Sequence, residues 1–331
     1  MRKFLLIAFV PFFIVSCGDK GSGSSDTTGN WIKRSDYEGV ARTEGVVFTI
    51  NDKAYMGSGF DGRDRLDDFW EYDADQNYWT QKADMPGAAR NSAVAFAINN
   101  NGYVGTGFDG NNKLKDFWQY NATTNTWSRI ADFGGTARYG AVAFSLNGKG
   151  YVGTGFDGNH LKDFWEYDPA TGQWLQRVSV GGSKRTDAVA FVLNNKGYVC
   201  TGTNNGTLVN DLWEFDASAQ TWTEKRKIAN VSDETYDNDY NIVRSNATAF
   251  LVGSKAYVAL GEKSGLASDV WEYDASTDLW TVRNSFEGTA RAGAVGFTLK
   301  GRGFICTGRN SSYQFDDVWE FKPNDTKNSN D

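Results

Sequence analysis

The catalytic chemistry open to this chain is limited by its one histidine, His160. A nucleophile–histidine–aspartate triad needs a histidine base, and most catalytic zinc sites use two or three histidine ligands. Both chemistries are therefore poor candidates, and we predict neither a metal nor a cofactor. Cys200 and Cys306 are the only cysteines after Cys17, so the chain has no disulfide framework and both are expected to be small buried residues.

A recurring arginine is the first candidate binding group. It stands shortly before a short apolar segment at six places: Arg42, Arg90, Arg138, Arg185, Arg244 and Arg291. Guanidinium groups that converge in a cleft suit a carboxylate, a phosphate or an acidic side chain. The alternative is structural, with each arginine paired to a carboxylate such as Asp68, Glu71, Asp163 or Glu166. Recurrence in every unit favours the structural role, because a ligand site needs only a few residues.

A Phe-Asp-Gly loop is the second candidate. Its phenylalanines and aspartates are Phe60, Asp61, Phe108, Asp109, Phe156 and Asp157. At the three later equivalent positions the loop changes to segments beginning at Thr203, Glu262 and Arg309. An exposed phenylalanine beside an aspartate could stack on sugar rings or on partner side chains. Alternatively, the phenylalanine packs between units and Asp-Gly forms a turn. The acidic spacing does not match a calcium loop.

Tryptophan spacing reveals the elements that must position these groups. The chain's 12 tryptophans form two series. One has steps of 48, 47, 48, 58 and 48 residues: Trp70, Trp118, Trp165, Trp213, Trp271 and Trp319. The other has steps of 48, 48, 47, 48 and 58 residues: Trp31, Trp79, Trp127, Trp174, Trp222 and Trp280. Each unit reads as four short strands separated by turns rich in Asn, Gly and Asp, a pattern typical of a propeller blade. The sequence therefore predicts an all-β fold, a six-bladed β-propeller of four-stranded blades.

The ends of the two series predict how the ring closes. Trp31 has no partner of the first series before it, and Trp319 has no partner of the second series after it. We therefore expect the N-terminal strand to complete the last blade, which removes an open sheet edge. Antiparallel order then places the recurring arginines, as a ring near the mouth of the central channel, on one face with the Phe-Asp-Gly loops. An acidic insertion at residues 229–241 is expected on that face, either as a functional loop or as a solvent-exposed loop without a function.

The repeat resembles the Kelch family over about residues 30–322. The resemblance rests on the glycine-containing end of the second strand, the aromatic residue before it and the later tryptophan. It departs from the usual adjacent glycines, with Gly105-Thr106-Gly107 in one unit. Galactose oxidase resembles this pattern, but its copper site cannot be assembled with one histidine. Sialic acid mutarotase, a six-bladed Kelch protein, implies an alternative activity on an acidic sugar, for which Glu262, near Arg244 and Arg291, is the candidate acid or base.

The N-terminus resembles a bacterial lipoprotein signal. Arg2 and Lys3 precede an apolar stretch, which ends in the lipobox-like Ile14-Val15-Ser16-Cys17. We predict a signal peptide at residues 1–16, lipid attachment at Cys17, a polar tether at 17–29, the propeller at 30–322 and a polar tail at 323–331. This predicts a protein of a bacterial cell envelope that a lipid anchors to the outer membrane, facing either the periplasm or the cell surface.

Charge and composition complete the prediction. The net charge of −7 and the lack of a basic run beyond the leader make nucleic acid a poor candidate partner. With no catalytic constellation, the sequence favours a monomeric, non-catalytic module that binds a protein or a glycan through the face bearing the arginines. A sugar-active enzyme of the mutarotase or epimerase type is the alternative, and a purely architectural envelope component is a further one.

Overall fold

The structure is a computed structural model that describes residues 28–328 and residue 330. The predicted signal peptide, Cys17 and residues 17–27 of the predicted tether lie outside the described residues. The described chain forms six four-stranded antiparallel blades arranged as a β-propeller, which confirms the predicted fold class. Within this part of the chain, no helix is long and apolar enough to cross a membrane.

Each blade is a meander that runs from the channel outwards. From innermost to outermost, blade 1 has the strands Val46–Ile50, Lys53–Gly57, Phe69–Asp73 and Tyr78–Lys82, and blade 2 has Val94–Ile98, Asn101–Gly105, Phe117–Asn121 and Thr126–Arg129. In the same order, blade 3 has Val142–Leu146, Lys149–Gly153, Phe164–Asp168 and Gln173–Arg177, and blade 4 has Val189–Leu193, Lys196–Cys200, Leu212–Asp216 and Thr221–Glu224. Blade 5 has Thr248–Val252, Lys255–Ala259, Val270–Asp274 and Leu279–Arg283, and blade 6 has Val295–Leu299, Arg302–Cys306, Val318–Lys322 and Asn30–Lys33. Blade 4 also carries a small hairpin, Thr203–Asn204 with Thr207–Leu208, and the insertion contains a 3-10 turn at Thr235–Asp237.

Along the innermost strands, buried residues that pack between the blades alternate with smaller residues that line the channel. In Val94–Ile98, Val94, Phe96 and Ile98 are buried, whereas the alanines between them are only half-buried. Phe96 stacks on Tyr103 of the next strand at a centroid distance of 5.1 Å. The small alternate residues line the channel.

The N-terminal strand closes blade 6. Asn30–Lys33 pairs antiparallel with Val318–Lys322, with Asn30 opposite Lys322 and Lys33 opposite Trp319. Trp31 is fully buried, and its ring lies 4.9 Å from Phe286 of the neighbouring segment. This confirms the closure that the tryptophan spacing predicts.

We call the face at the start of the innermost strands the arginine face. It also carries the loops between second and third strands and the loops that join consecutive blades. The hairpins between first and second strands lie on the opposite face. This division follows from the antiparallel order within every blade.

Candidate functional site

The recurring arginines lie inside their own blades rather than in the channel. All six are fully buried: Arg42, Arg90, Arg138, Arg185, Arg244 and Arg291. Each forms an ion pair with the aspartate just before the third strand of its blade: Asp68, Asp116, Asp163, Asp211, Asp269 and Asp317. The expected convergence of the guanidinium groups on the channel mouth is therefore wrong. Their binding role stays a prediction, and the geometry favours the structural role.

The arginine pairs also tie together separate segments of each blade. In blade 2, Arg90 donates to both carboxylate oxygens of Asp116 at 2.8 and 2.7 Å and to the carbonyl oxygen of Thr106 at 3.0 Å. Trp118 Nε1 donates to the same carboxylate at 2.7 Å. Burial opposes ionisation of Asp116, but these hydrogen bonds and the charge of Arg90 bring its pKa below the ordinary value.

Two of the carboxylates proposed as arginine partners have other neighbours. Glu71 pairs with Lys82 at 3.1 Å, and Glu166 pairs with Arg177 at 2.9 Å. Both lie on third strands and reach the outermost strand of the same blade. The remaining two, Asp68 and Asp163, are arginine partners as predicted.

A closed ring of backbone hydrogen bonds surrounds the channel mouth on the arginine face. The residue two positions after each recurring arginine donates its N–H to the carbonyl oxygen of its counterpart in a neighbouring blade, at 2.7 to 3.0 Å. All these residues have left-handed backbone conformations, with φ between 51° and 64°. We call them the mouth ring: Glu44, Ser92, Gly140, Asp187, Asn246 and Gly293. They line a cavity of about 140 Å³.

The mouth ring brings two carboxylates together. Burial, together with the nearby Glu44 and Glu262 carboxylates, raises the pKa of Asp187 to about 7, against the effects of a hydrogen bond from Thr186 and of Arg309. A Cβ atom at Gly140 would lie 2.5 Å from Asp187 Oδ1, so the carboxylate occupies the space that this glycine leaves. Burial also raises the pKa of Tyr139, with contributions from Asp187 and Glu44. The mouth therefore holds a carboxyl group able to gain or lose a proton near neutral pH.

Glu262 lies beside this mouth, but its arginine partner differs from the one expected. Arg309 Nη2 contacts Glu262 Oε1 at 2.9 Å, and Arg309 Nε lies 3.9 Å from Glu44 Oε1. Arg244 and Arg291, the neighbours proposed from the sequence, are paired inside their blades. Glu44 also accepts hydrogen bonds from Asn91 Nδ2 at 2.6 Å and Ser92 Oγ at 2.5 Å.

The Phe-Asp-Gly loops form turns, as the structural alternative predicts, and a stacking role of their phenylalanines stays a prediction. Each aspartate accepts hydrogen bonds from backbone N–H groups of its own loop, at 2.6 to 3.0 Å. These are turn-stabilising contacts. The phenylalanines remain half-buried on the arginine face. We call them the aromatic arc: Phe60, Phe108 and Phe156.

Tyr139 links two members of the aromatic arc. Its ring centroid lies 5.7 Å from that of Phe108 and 5.6 Å from that of Phe156. In blades 4 to 6, the residues equivalent to the arc are Thr203, Glu262 and Arg309, each bridged to the residue after a recurring arginine. At this loop position, the arginine face is therefore aromatic in blades 1 to 3, its aromatic half, and polar in blades 4 to 6, its polar half.

The insertion at residues 229–241 is partly built into the core. Tyr240 is buried, and its hydroxyl accepts a hydrogen bond from Trp280 N at 2.6 Å. Asp237 is also buried and accepts from Val231 N and Ser232 N at 3.2 and 3.1 Å. Val231 is exposed. One side of the insertion packs on blade 5, and the other side faces solvent.

The two described cysteines are free, buried thiols. Burial raises the pKa of Cys200 to about 12 and raises that of Cys306 well above its ordinary value. Both therefore stay protonated at neutral pH. Among residues 28–328 and 330, no group of three or more His, Cys, Asp and Glu side chains is arranged to hold a metal ion.

Comparison with known families decides the kind of repeat. The family described as the KLHDC2/KLHL20/DRC7 Kelch-repeats domain matches residues 32–185 and 136–281. The chain belongs to the Kelch-repeat family. This Kelch propeller is similar to the solved structure of YjhT, with a TM-score of 0.71 and 19% identity, covering 86% of this chain and 96% of that one. At this identity, the likeness shows the fold alone. No curated protein sequence matches the chain.

Several residues of the mouth were not anticipated as site residues from the sequence: Glu44, Tyr139, Asp187 and Arg309. In the sequence, these residues are marked only by positions at which one repeat differs from the others. At the mouth-ring position, Glu44 and Asp187 stand where Gly140 and Gly293 stand in other blades. A search for positions at which single Kelch repeats differ, rather than for residues that recur in all of them, would have found these residues.

Proposed function

We propose that this Kelch protein is a non-catalytic binding protein of a bacterial cell envelope, and that its arginine face binds a glycan. The observation that carries this proposal is the division of that face into an aromatic half and a polar half. Sugar sites combine aromatic surfaces, which cover the apolar face of a ring, with a few placed polar groups.

The aromatic arc supplies the stacking surface. Phe60, Phe108 and Phe156 occupy equivalent positions in three consecutive blades, so they follow the rim of the channel. The polar half supplies the hydrogen bonds, through Glu262, Arg309 and the mouth ring. A ligand that crosses the mouth would contact both halves.

The size of the mouth favours an extended ligand over a small enclosed one. Its cavity of about 140 Å³ is smaller than the roughly 300 to 1,000 Å³ of typical small-molecule pockets. Below the mouth, the channel is lined by small apolar residues such as Ala95, Ala143 and Ala190. The side chains of these alanines offer no hydrogen-bonding groups for sugar hydroxyls. The ligand is therefore expected to lie across the face.

A lipid anchor at Cys17 fits this orientation. Asn30 pairs with Lys322, at the end of the blade 6 strand that is distant from Asp317 and the arginine face. Thr28 and Gly29 contact Arg283 and Asn284, on the outermost part of blade 5. The chain thus enters the propeller at its outer rim, between blades 5 and 6 and away from the channel mouth. Fatty-acid labelling of the full chain, lost in Cys17→Ser, tests the anchor.

A binding panel tests the proposed function. The soluble chain from residue 18 onwards, which keeps every described residue, is applied to arrays of bacterial and host glycans. Phe108→Ala is expected to weaken binding about tenfold or more, because it removes a stacking surface. Tyr78→Ala is the matched control, since Tyr78 is an exposed aromatic residue on the outer edge of blade 1. Binding to envelope proteins and to no glycan would contradict the glycan assignment.

Asp187 favours a second candidate function, exchange of the anomers of a sugar. A general acid or base is most effective when its pKa lies near the working pH, and the pKa of Asp187 is about 7. Tyr139, Glu262 and Arg309 lie close enough to Asp187 or to Glu44 to orient a sugar there. In such an enzyme, protonated Asp187 would give its proton to the ring oxygen as the bond from that oxygen to the anomeric carbon breaks, while Glu262 would take the proton of the anomeric hydroxyl. The reverse transfers would close the ring on either face of the carbonyl.

Magnetisation-exchange NMR separates this candidate from simple binding. Free sialic acid is incubated with the soluble chain, and the rate of anomer exchange is compared with that in buffer. An enzyme of this type accelerates the exchange and loses the acceleration in Asp187→Asn. A rate equal to that in buffer would remove the enzymatic candidate and leave the binding function unaffected.

A further inference from the structure

A row of cationic and titratable side chains accompanies the aromatic arc. Each arc phenylalanine forms a backbone bridge across its loop to one such residue: Arg65, Lys113 and His160. In blades 4 to 6, the corresponding bridge partners are Leu208 in the small hairpin, Leu266 and Gln314. We call Arg65, Lys113 and His160 the basic arc. Its position on three consecutive blades distinguishes it from a scattered surface charge.

The basic arc is held against the aromatic arc. Arg65 Cζ lies 4.8 Å from the ring centroid of Phe60 and 5.2 Å from that of Phe108. Lys113 Nζ lies 5.8 Å from the centroid of Phe156. Contacts of this kind hold a cation over an aromatic face and limit the conformations of its side chain. Arg65 is further oriented by a hydrogen bond from its Nε to Asn91 Oδ1 at 3.1 Å.

These cations are not neutralised by ion pairs. Among the described residues, no carboxylate oxygen lies within 4.0 Å of a nitrogen of Arg65 or Lys113. The nearby Asp109 is engaged by backbone N–H groups of Asn112 and Asn111, which lower its pKa more than Arg65 does. By contrast, Arg309 on the polar half is paired with Glu262. The terminal nitrogens of Arg65 therefore have no described acceptor.

His160 completes the arc on blade 3. Its ring lies 5.2 Å from that of Phe156, and its Nε2 accepts a hydrogen bond from Asn205 N at 3.3 Å. Burial lowers the pKa of His160 below its ordinary value, so the ring is largely neutral at neutral pH. A pocket of about 450 Å³ opens beside Asn205, lined by the polar residues Ser183, Asn204, Thr207 and Asn210.

We propose that the basic arc and the aromatic arc together bind an acidic glycan, with Arg65 donating to a carboxylate of the sugar. The inference rests on the proposed function and specifies the ligand class. Stacked phenylalanines contact the ring, while Arg65 and Lys113 supply positive charge that forms no ion pair with a carboxylate among the described residues. In a protein of net charge −7, a retained basic row of this kind selects for a negatively charged partner.

The single histidine makes the test specific. The soluble, tag-free chain from residue 18 onwards has one histidine, so one imidazole Cε1 proton reports on the arc. The probes are uronic-acid oligosaccharides and their carboxyl-reduced neutral counterparts. An acidic probe is expected to raise the pKa of His160, because a bound carboxylate stabilises the imidazolium. The neutral counterpart is expected to leave this pKa unchanged.

A matched pair of variants in one loop isolates the role of Arg65. Arg65→Gln is expected to lower the affinity for the acidic probe about tenfold or more. Arg63→Gln removes the same charge two positions earlier, from a side chain that is 90% exposed, and is expected to change affinity by about twofold or less. Calorimetry at low and high salt measures both.

The outcomes separate the inference from the proposed function. If the acidic and neutral probes bind equally and Arg65→Gln has no effect, the acidic-ligand inference fails and glycan binding stands. If the acidic probe binds but neither His160 nor Arg65 responds, the site lies elsewhere and the inference also fails. If neither probe nor any other glycan of the panel binds, both proposals fail.

Discussion

Arg138 and Asp163 form a complete ion pair inside blade 3, with hydrogen bonds of 2.6 and 2.8 Å between the guanidinium group and the two carboxylate oxygens. The side chain of Arg138 is 1% exposed, and Asp163 also accepts from Trp165 Nε1 at 2.8 Å. Replacement of Arg138 by methionine leaves the carboxylate without its main partner. We expect the free energy of unfolding to fall by about 3 to 5 kcal/mol, as measured by urea denaturation.

An exposed ion pair provides the control for Arg138. Arg129 contacts Asp132 at 2.8 Å, and their side chains are 59% and 37% exposed. Arg129→Met is expected to change the free energy of unfolding by less than about 1 kcal/mol. Equal effects of the two substitutions would show that the buried pairs do not stabilise the blades.

Ring closure by the N-terminal strand gives a second prediction. Trp31 is buried against Phe286 and against Phe321, at ring distances of 4.9 and 4.7 Å. Trp31→Ala is expected to lower the free energy of unfolding by about 3 to 5 kcal/mol, because a large cavity remains between blades. Val282→Ala, on an exposed outer strand position, is expected to change it by about 0.5 kcal/mol or less. An unaffected Trp31→Ala protein would contradict closure through this strand.

Acid stability is expected to depend on the ion-paired carboxylates. Burial opposes ionisation of Asp269, yet hydrogen bonds and charge from Arg244 lower its pKa to about 2. A carboxyl group whose pKa is lower in the folded than in the unfolded protein stabilises the fold above the unfolded value of about 3.9. That stability is lost as the pH falls through about 2. The free energy of unfolding should therefore fall with acidification, and the fall should be smaller in Asp269→Asn.

Asp187 is predicted to have the opposite pH dependence. Its folded pKa of about 7 lies above the unfolded value, so the folded protein binds the proton more tightly. Its contribution to stability is greatest below about pH 4 and declines as the pH rises through about 7. In Asp187→Asn this decline should disappear. Unfolding measurements between about pH 5 and about pH 8 check it, and the same slope in both proteins would contradict the raised pKa.

The fold was predictable because its signals recur in every blade. Trp31 begins one series without a preceding partner and Trp319 ends the other without a following one, and that mismatch alone implies closure of the last blade by the N-terminal strand. The recurring arginines were harder to interpret, because their spacing places the Arg138 backbone on the arginine face but does not set the direction of its side chain. The bidentate contact with Asp163 turns that side chain into the blade.

The candidate site was less predictable because it depends on single blades. Glu44 and Asp187 occur once each at a position that is glycine in blades 3 and 6, so no periodicity marks them. Their proximity arises only when the ring closes and the mouth-ring hydrogen bonds draw the blades together. The raised pKa of Asp187 likewise depends on burial and on carboxylates of other blades.

Hydrogen–deuterium exchange with and without a bound glycan tests the central proposal, ligand binding on the arginine face, most directly. The account predicts slower exchange in the loops at residues 60–66, 108–114 and 156–161 when the glycan is bound. The hairpin turns at residues 51–52, 99–100 and 147–148, on the opposite face, should exchange at unchanged rates. Protection of those turns, with none in the loops of the arginine face, would contradict it.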